Sequence, residues 1–195
     1  MQVPHLPGYY PRDVWTSVRP QFSVRVLARG IVLHHSAGPN AEPRSGQEEV
    51  HRFAAVVRSF YDHHTKSNGW KDIGYHFVIS RGGLIFEARN GSGKALIDGL
   101  IPVGAHCPGK NATHIGICLE GNYQLASELP SSLWESLVRL MARLSLAAGI
   151  ELNRATVLLH RDVVSTVCPG DTVQNKLDAI ITHANRIKDQ IRGGA

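Results

Sequence analysis

The period of the hydrophobic pattern changes repeatedly along the chain, and this alternation constrains the fold most. Short apolar runs rich in β-branched residues, such as "SVRVLARGIVLHHSA" (23–37) and "TVLLH" (156–160), are typical of buried strands. Apolar residues at helical spacing fill 47–65, 127–149 and 171–191. "DIGYHFVIS" and "GLIFEAR" flank a tight turn and predict a hairpin. This order predicts a single α/β domain with a central mixed β-sheet flanked by helices.

The length of the chain limits it to one such domain. Its 195 residues, of which 43% are hydrophobic, are enough for one core and too few for two. Residues 1–25 are rich in proline, arginine and aromatic residues, and we interpret them as an N-terminal arm packed on a domain of residues 26–195. The stretch "NGSGKALIDGL" (90–100) predicts a glycine-rich loop. It is not a phosphate-binding loop, because Lys94 is followed by Ala95 where that motif requires serine or threonine.

The charge and the hydropathy of the chain exclude several function classes. A formal net charge of +5 suits an anionic partner, but the basic residues are scattered, so a nucleic-acid interface is not predicted. No segment approaches the roughly 18 apolar residues of a membrane span, so we expect no integral membrane segment. The first fifteen residues lack the pattern of a secretory signal. We therefore expect synthesis in the cytoplasm, with action outside the cell only after release.

Three cysteines raise the question of what each thiol does. Their odd number excludes a complete disulfide framework, but a single bridge between Cys107 and Cys118 stays open. Cys168 lies eight residues after His160, which ends an apolar strand, and strand ends are where α/β proteins gather ligand-binding groups. From the residues alone, Cys168 is a buried thiol, half of a disulfide or a metal ligand.

A histidine pair ends another predicted strand. Successive strand side chains point to opposite faces, so at most one of His34 and His35 enters a common site. Two neutral imidazoles and a thiolate make a zinc site with three protein ligands and an open fourth position, which is the catalytic pattern.

Four segments extend this pattern when they are taken together and in order: "IVLHHSAG", "GWKDIGYHFVIS", "VGAHCPGKNATHIGICLEGNY" and "LLHRDVVSTVCPGD". Together they resemble the zinc-dependent N-acetylmuramoyl-L-alanine amidases, the superfamily of phage amidase endolysins and peptidoglycan recognition proteins. The resemblance covers about residues 30 to 175. It implies a fold of the peptidoglycan-recognition/amidase type and Zn²⁺ as cofactor, with His34, His160 and Cys168 as the metal ligands.

The resemblance also implies roles for residues around the metal. Tyr75 matches the catalytic tyrosine of the amidases, and Thr166 matches a position that donates a hydrogen bond to an oxyanion. His106 and Asn111 match a segment that lines the cleft, so we expect them to bind substrate. His35 is expected to contact substrate, with packing as the alternative.

At three further positions the sequence does not predict a catalytic residue. Cys118 stands where some relatives carry a catalytic glutamate, so this carboxylate is missing here. Glu120 lies two residues further on, and its role stays open. His76 is predicted to pack in the core.

The function implied is hydrolysis of the amide between N-acetylmuramic acid and L-alanine in the stem peptide of bacterial peptidoglycan. We expect a monomeric phage endolysin whose cofactor is zinc. One alternative is a non-catalytic peptidoglycan-binding module of the same fold, although a binder has no need of an open zinc. Others are a cytoplasmic amidase of cell-wall recycling and, more distantly, a structural zinc protein that binds nucleic acid. The acid that protonates the leaving amine is left open.

Overall fold

The computed structural model describes residues 6–194, so the first five residues of the predicted arm lie outside the described residues. The strands are β1 (Tyr9–Tyr10), β2 (Arg25–Leu27), β3 (Gly30–His35), β4 (Phe77–Ile79), β5 (Ile85–Glu87), β6 (Leu100–Pro102), β7 (His114–Leu119) and β8 (Val157–Leu159). The α-helices are α1 (Gly46–Asp62), α2 (Ala95–Asp98), α3 (Ser131–Ala148) and α4 (Asp171–Gly193).

Six strands form the central sheet in the order β1-β5-β4-β7-β3-β8. Neighbouring strands are parallel except for the β4–β5 hairpin, so the predicted mixed sheet is confirmed. The prediction of one strand over 23–37 is wrong, because β2 pairs with β6 in a separate two-stranded sheet. The break lies at Ala28 and Arg29. Their N–H groups donate to the carbonyls of Gly99 and Thr113, so they do not continue the ladder of a single strand.

The two faces of the sheet carry two hydrophobic clusters. One face packs on α3 and α4, and β3 contributes Ile31 and Leu33 to it. The other face packs on α1, and β7 contributes Cys118 to it. Strand side chains alternate between faces, and His34 is paired in register with Cys118 on β7. His34 therefore belongs to the α1 face of the sheet and His35 to the opposite face.

The three long helices confirm the helical periodicities. α1 buries Val50, Phe53, Ala54 and Val57 at the predicted spacing, and a π-helical turn at His63–Ser67 follows it. Such turns occur frequently at functional sites. α3 ends at Gly149, which adopts a φ of 68° as helix C-terminal glycines do. Within residues 6–194, no helix is both long and apolar enough to cross a membrane.

The prediction of an irregular loop over 90–100 is wrong in part. A 3₁₀ turn at Ser92–Lys94 leads directly into the short helix α2. Ala95 and Leu96 are buried in the cluster shared with α3 and α4. Burial of these two apolar side chains outweighs the local preference of the glycines for irregular structure.

The N-terminal arm is joined to the domain by a buried ion pair. The guanidinium of Arg12 donates to a carboxylate oxygen of Asp72 at 2.9 Å, and both side chains are almost fully buried. Asp72 also accepts the backbone N–H groups of Ile73 and Asn90. The turn that leads to Tyr75 is thus held by contacts from both sides.

His76 is buried between two backbone groups, as predicted for a core histidine. Its Nδ1 accepts the N–H of Gly116 at 2.9 Å, and its Nε2 donates to the carbonyl of Pro102 at 2.8 Å. Burial lowers the pKa of His76 to about 4. The folded chain therefore holds this imidazole in its neutral form at physiological pH.

We expect the stabilising contribution of His76 to be lost in acid. Below pH ~6.5 the unfolded chain binds a proton at this histidine and the folded chain does not, until the pH approaches the folded pKa of about 4. The free energy of unfolding of the wild type relative to His76→Asn should therefore fall by about 1.4 kcal/mol per pH unit across this window. Urea titrations at pH 7.5, 6 and 5 measure it, and a difference independent of pH would contradict it.

Candidate metal centre

Two neighbouring parallel strands and one loop bring three ligand side chains together. His34 lies at the carboxyl end of β3, and His160 follows the end of β8, which pairs with β3. Cys168 lies in the loop before α4. One donor atom from each residue lies within 4.8 Å of the others, and Nδ1 of His34 is 4.0 Å from Sγ of Cys168. The three residues predicted as ligands therefore converge and could hold a metal ion.

The donor set and its spacing fit zinc. Zinc takes imidazole nitrogens at about 2.0 Å and thiolates at about 2.3 Å, so tetrahedral ligand atoms lie roughly 3.5 Å apart. The observed separation of 4.0 Å needs only a small closure of the side chains. Two nitrogens and one soft sulfur suit this borderline-soft cation better than magnesium or calcium, which prefer oxygen ligands.

Burial sets the protonation states at the centre. It lowers the pKa of His34, with a further contribution from the neighbouring His106, and it lowers the pKa of His160. Both rings are therefore neutral, which is the form that binds metal. Burial raises the pKa of the Cys168 thiol to about 11, and the backbone N–H of His35, 3.4 Å from Sγ, opposes this rise. A cation that binds here must displace the thiol proton.

The loop that carries Cys168 is held at both of its ends. The N–H of Arg161 donates to the carbonyl of Cys168 at 2.9 Å, and its guanidinium contacts the carbonyl of Val167 and the carboxylate of Asp171. The hydroxyl oxygen of Thr166 accepts the N–H of Cys168 at 3.2 Å. Thr166 thus lies beside the ligand, and its contact with an oxyanion stays a prediction. Arg161 could not be predicted, because a single arginine after a histidine has no distinguishing pattern.

Tyr75 lies next to the first ligand. Its ring centroid is 5.2 Å from that of His34. Burial, followed by the neighbouring Cys118, raises the pKa of Tyr75, so the phenol keeps its proton and can donate a hydrogen bond. Cys118 itself is fully buried. Glu120 is engaged elsewhere, since its oxygens accept from the guanidinium of Arg52 and the N–H of Arg81.

Two cavities lie beside the centre, one at Tyr75 and one at His160. The first, of about 380 Å³, is lined by Tyr75, by Ser36 and by residues at the end of α1 and in the turn that follows it, namely Ser59, Phe60, His63 and His64. The second, of about 360 Å³, is lined by His160, Trp70 and the segment Ala105–Pro108 with Asn111. The contribution of the α1 end could not be predicted, because its polar residues match no motif. The second cavity contacts a ligand directly, through His160, and the first is bounded by Tyr75, which packs on His34.

The three residues predicted to bind substrate have partners within the protein. Both ring nitrogens of His106 are hydrogen-bonded, to His34 and to the carbonyl of His114. The side-chain oxygen of Asn111 accepts the N–H groups of His106 and Cys107. His106 and Asn111 line the second cavity, so substrate contact stays a prediction that is limited to their remaining surface.

His35 has a packing role. Its Nδ1 accepts the N–H of Tyr123 at 3.1 Å, and its side chain is buried. Burial, followed by the positive charge of Arg161, lowers the pKa of His35 to about 4. These contacts favour packing over substrate binding for His35. All three cysteines are free thiols, so the bridge between Cys107 and Cys118 is not formed.

Comparison with known proteins gives consistent matches over most of the chain. The profile of the family described as N-acetylmuramoyl-L-alanine amidase matches residues 25–171. A human protein named N-acetylmuramoyl-L-alanine amidase is 32% identical over 172 residues, which make up 86% of this chain and 27% of that protein. The chain thus spans little more than a quarter of the length of this relative.

A phage protein and a solved structure extend the comparison. The endolysin of Klebsiella phage KP32 is 28% identical over 150 residues, which make up 77% of this chain and 85% of the endolysin. The structure of bumblebee PGRP-SA superposes with a TM-score of 0.71 at 24% identity, over 88% of this chain and 94% of that one. At this identity the likeness shows the fold alone.

Proposed function

Since the chain belongs to the N-acetylmuramoyl-L-alanine amidase family, we propose that it is a zinc-dependent enzyme that hydrolyses the amide between N-acetylmuramic acid and the L-alanine of the peptidoglycan stem peptide. The observation that carries the proposal is the convergence of His34, His160 and Cys168 within 4.8 Å. A module that only binds peptidoglycan has no need of three converging metal-ligand atoms.

The residues around the centre have separate tasks in this proposal. When bound, zinc supplies a Lewis acid that polarises the amide carbonyl and makes water nucleophilic near neutral pH. His34, His160 and Cys168 hold the ion. Tyr75 keeps its proton and donates a hydrogen bond to the oxyanion that develops on the carbonyl oxygen. The ring of Tyr75 packs 5.2 Å from that of His34, which supports its place beside the reacting carbonyl.

We further propose that the protein acts as an endolysin on the bacterial cell wall, which it meets after release from the cytoplasm. The similarity to the endolysin of phage KP32, over 85% of that protein, supports this role. The two cavities beside the ligands offer room for the glycan on one side and the stem peptide on the other.

Digestion of purified cell walls tests the proposed reaction. Zinc-loaded protein should release stem peptides that begin with a free L-alanine amino group, without an increase in reducing sugar ends. Mass spectrometry identifies the peptides, and sedimentation with insoluble walls measures binding in parallel. Binding without any release of peptide would replace the enzyme by a binding module. New reducing ends would indicate cleavage of the glycan instead of the amide.

Replacement of Thr166 by valine should lower the rate of amide cleavage by about tenfold or less. Valine is nearly isosteric, but it removes a neutral donor to the oxyanion and the acceptor of the Cys168 N–H. Steady-state rates on purified peptidoglycan, with zinc content measured on the same samples, check the effect. A wild-type rate in a fully metallated Thr166→Val would exclude the hydroxyl from catalysis.

A further inference from the structure

The hydrogen-bond partners of His34 distinguish its two ring nitrogens. Nδ1 lies on the side of Cys168, 4.0 Å from its sulfur. Nε2 lies 3.0 Å from Nδ1 of His106, and the two rings meet edge to face at an interplanar angle of 88°. The nitrogen that faces away from the metal position is thus paired with a second histidine.

The carbonyl of His114, which is the second partner of His106, determines which ring nitrogens carry hydrogen. Nε2 of His106 is 3.1 Å from the carbonyl oxygen of His114, and a carbonyl can only accept. Nε2 of His106 therefore carries the hydrogen, which leaves a lone pair on its Nδ1. Since two facing lone pairs at 3.0 Å repel, Nε2 of His34 must donate. Nδ1 of His34 is then the nitrogen whose lone pair is free for a metal.

Two glycines make the space that this arrangement needs. A Cβ atom on Gly116 would lie 2.5 Å from Cγ of His106, and one on Gly104 would lie 2.7 Å from its Cδ2. The ring of His106 therefore lies in a slot between Gly104 and Gly116, and any larger residue at either position would overlap with it. Asn111 holds the backbone at this point, because its side-chain oxygen accepts the N–H of His106 at 2.7 Å. The ring is fixed by its surroundings independently of any ligand.

We propose that His106 is a positioning residue of the metal centre, which fixes the tautomer and the ring orientation of His34 so that Nδ1 of His34 presents its lone pair to the ion. The inference rests on the zinc site of the proposed function. It assigns His106 a task inside the protein in place of a hydrogen bond to substrate. Partners that orient metal-bound histidines in this way typically change metal affinity 10–100-fold when they are removed.

Zinc affinity of matched variants tests this role. His106→Leu removes both nitrogens at similar volume, whereas His106→Asn keeps an oxygen acceptor near the position of Nδ1. Competition with a chromophoric chelator measures the zinc affinity of each variant. We expect this affinity to be about 10–100-fold lower in His106→Leu than in the wild type, and close to that of the wild type in His106→Asn. His183→Asn is the control, because it removes a histidine of α4 whose ring contacts Trp134 and neither His34 nor His106. It should bind zinc like the wild type.

Two spectroscopic measurements separate positioning from general destabilisation. Long-range ¹⁵N correlation spectra of the wild type should show the hydrogen of both His34 and His106 on Nε2, with no variant required. Cobalt-substituted His106→Leu should show an altered ligand-field spectrum, and cobalt-substituted His183→Asn an unchanged one. A hydrogen on Nδ1 of His34, or wild-type zinc affinity in folded His106→Leu, would overturn the proposal.

The outcomes for the wild type distinguish this inference from the proposed function. If the wild type binds zinc but releases no stem peptide, the proposed reaction fails while the role of His106 stands on the affinity and spectra. If the wild type binds no zinc at all, both are overturned.

Discussion

Cys168→Ser should leave the protein almost without bound zinc and reduce amide hydrolysis to the background rate. A serine hydroxyl ionises far less readily than a thiol and offers a hard oxygen in place of a soft sulfur, so the site loses its only anionic ligand. Cys107→Ser and Cys118→Ser are matched controls, because both of these thiols are buried and neither belongs to the converging group. Both controls should retain zinc. Metal content per folded protein and peptide release measure the difference.

Chelation of the wild type complements the substitution. Removal of zinc should abolish hydrolysis and lower the melting temperature, since a ligand that binds only the folded state stabilises it by mass action. Re-addition of zinc should restore both in the wild type, and neither in Cys168→Ser. Full activity of metal-free protein, or equal zinc in all three cysteine variants, would show that the centre has been assigned to the wrong residues.

Tyr75→Phe should lower the rate of amide cleavage on the order of a hundredfold or more, because it removes one preorganised donor to the oxyanion. Phenylalanine keeps the ring that packs 5.2 Å from His34. Zinc content and binding to cell walls should therefore stay near the wild type. The loss is expected in kcat, because the hydrogen bond forms fully only in the transition state.

Tyr61→Phe is the matched control for this experiment. Tyr61 packs on the same cluster as Tyr75, but it lines neither of the two cavities beside the ligands. Its loss of a hydroxyl should leave turnover unchanged. If Tyr75→Phe cleaved at the wild-type rate, Tyr75 would have no catalytic role. If it lost zinc as well, the tyrosine would support the metal rather than the transition state.

Much of the fold could be predicted because its signals are local. The helices α1, α3 and α4 each repeat an apolar stripe over several turns, and the β4–β5 hairpin is joined by a short turn. The ligand set could be predicted because it stands at strand ends within four motifs that resemble a known family. Tyr75 and Thr166 belong to the same motifs and lie beside the centre.

The remaining features depend on partners that are distant in sequence. The sequence of β2 and β3 is typical of one continuous strand. In the structure β2 pairs with Leu100–Pro102 and so belongs to a second sheet. The hydrogen-bond roles of His106 depend on the His34 ring, 72 residues away, and on the glycine slot around it. His35 looks equivalent to His34 in the sequence, and only the N–H of Tyr123 shows that it packs. No local pattern encodes such pairings.

The separation of the ligands along the chain bears on how the protein folds. His34 and Cys168 are 134 residues apart, and they meet only when parallel strands β3 and β8 have paired and the loop before α4 has closed. Closing loops of this length is slow, because the entropy is lost before any contact compensates for it. An ion that needs the finished arrangement cannot stabilise the transition state of folding. We therefore expect zinc to slow unfolding and to leave the rate of folding nearly unchanged.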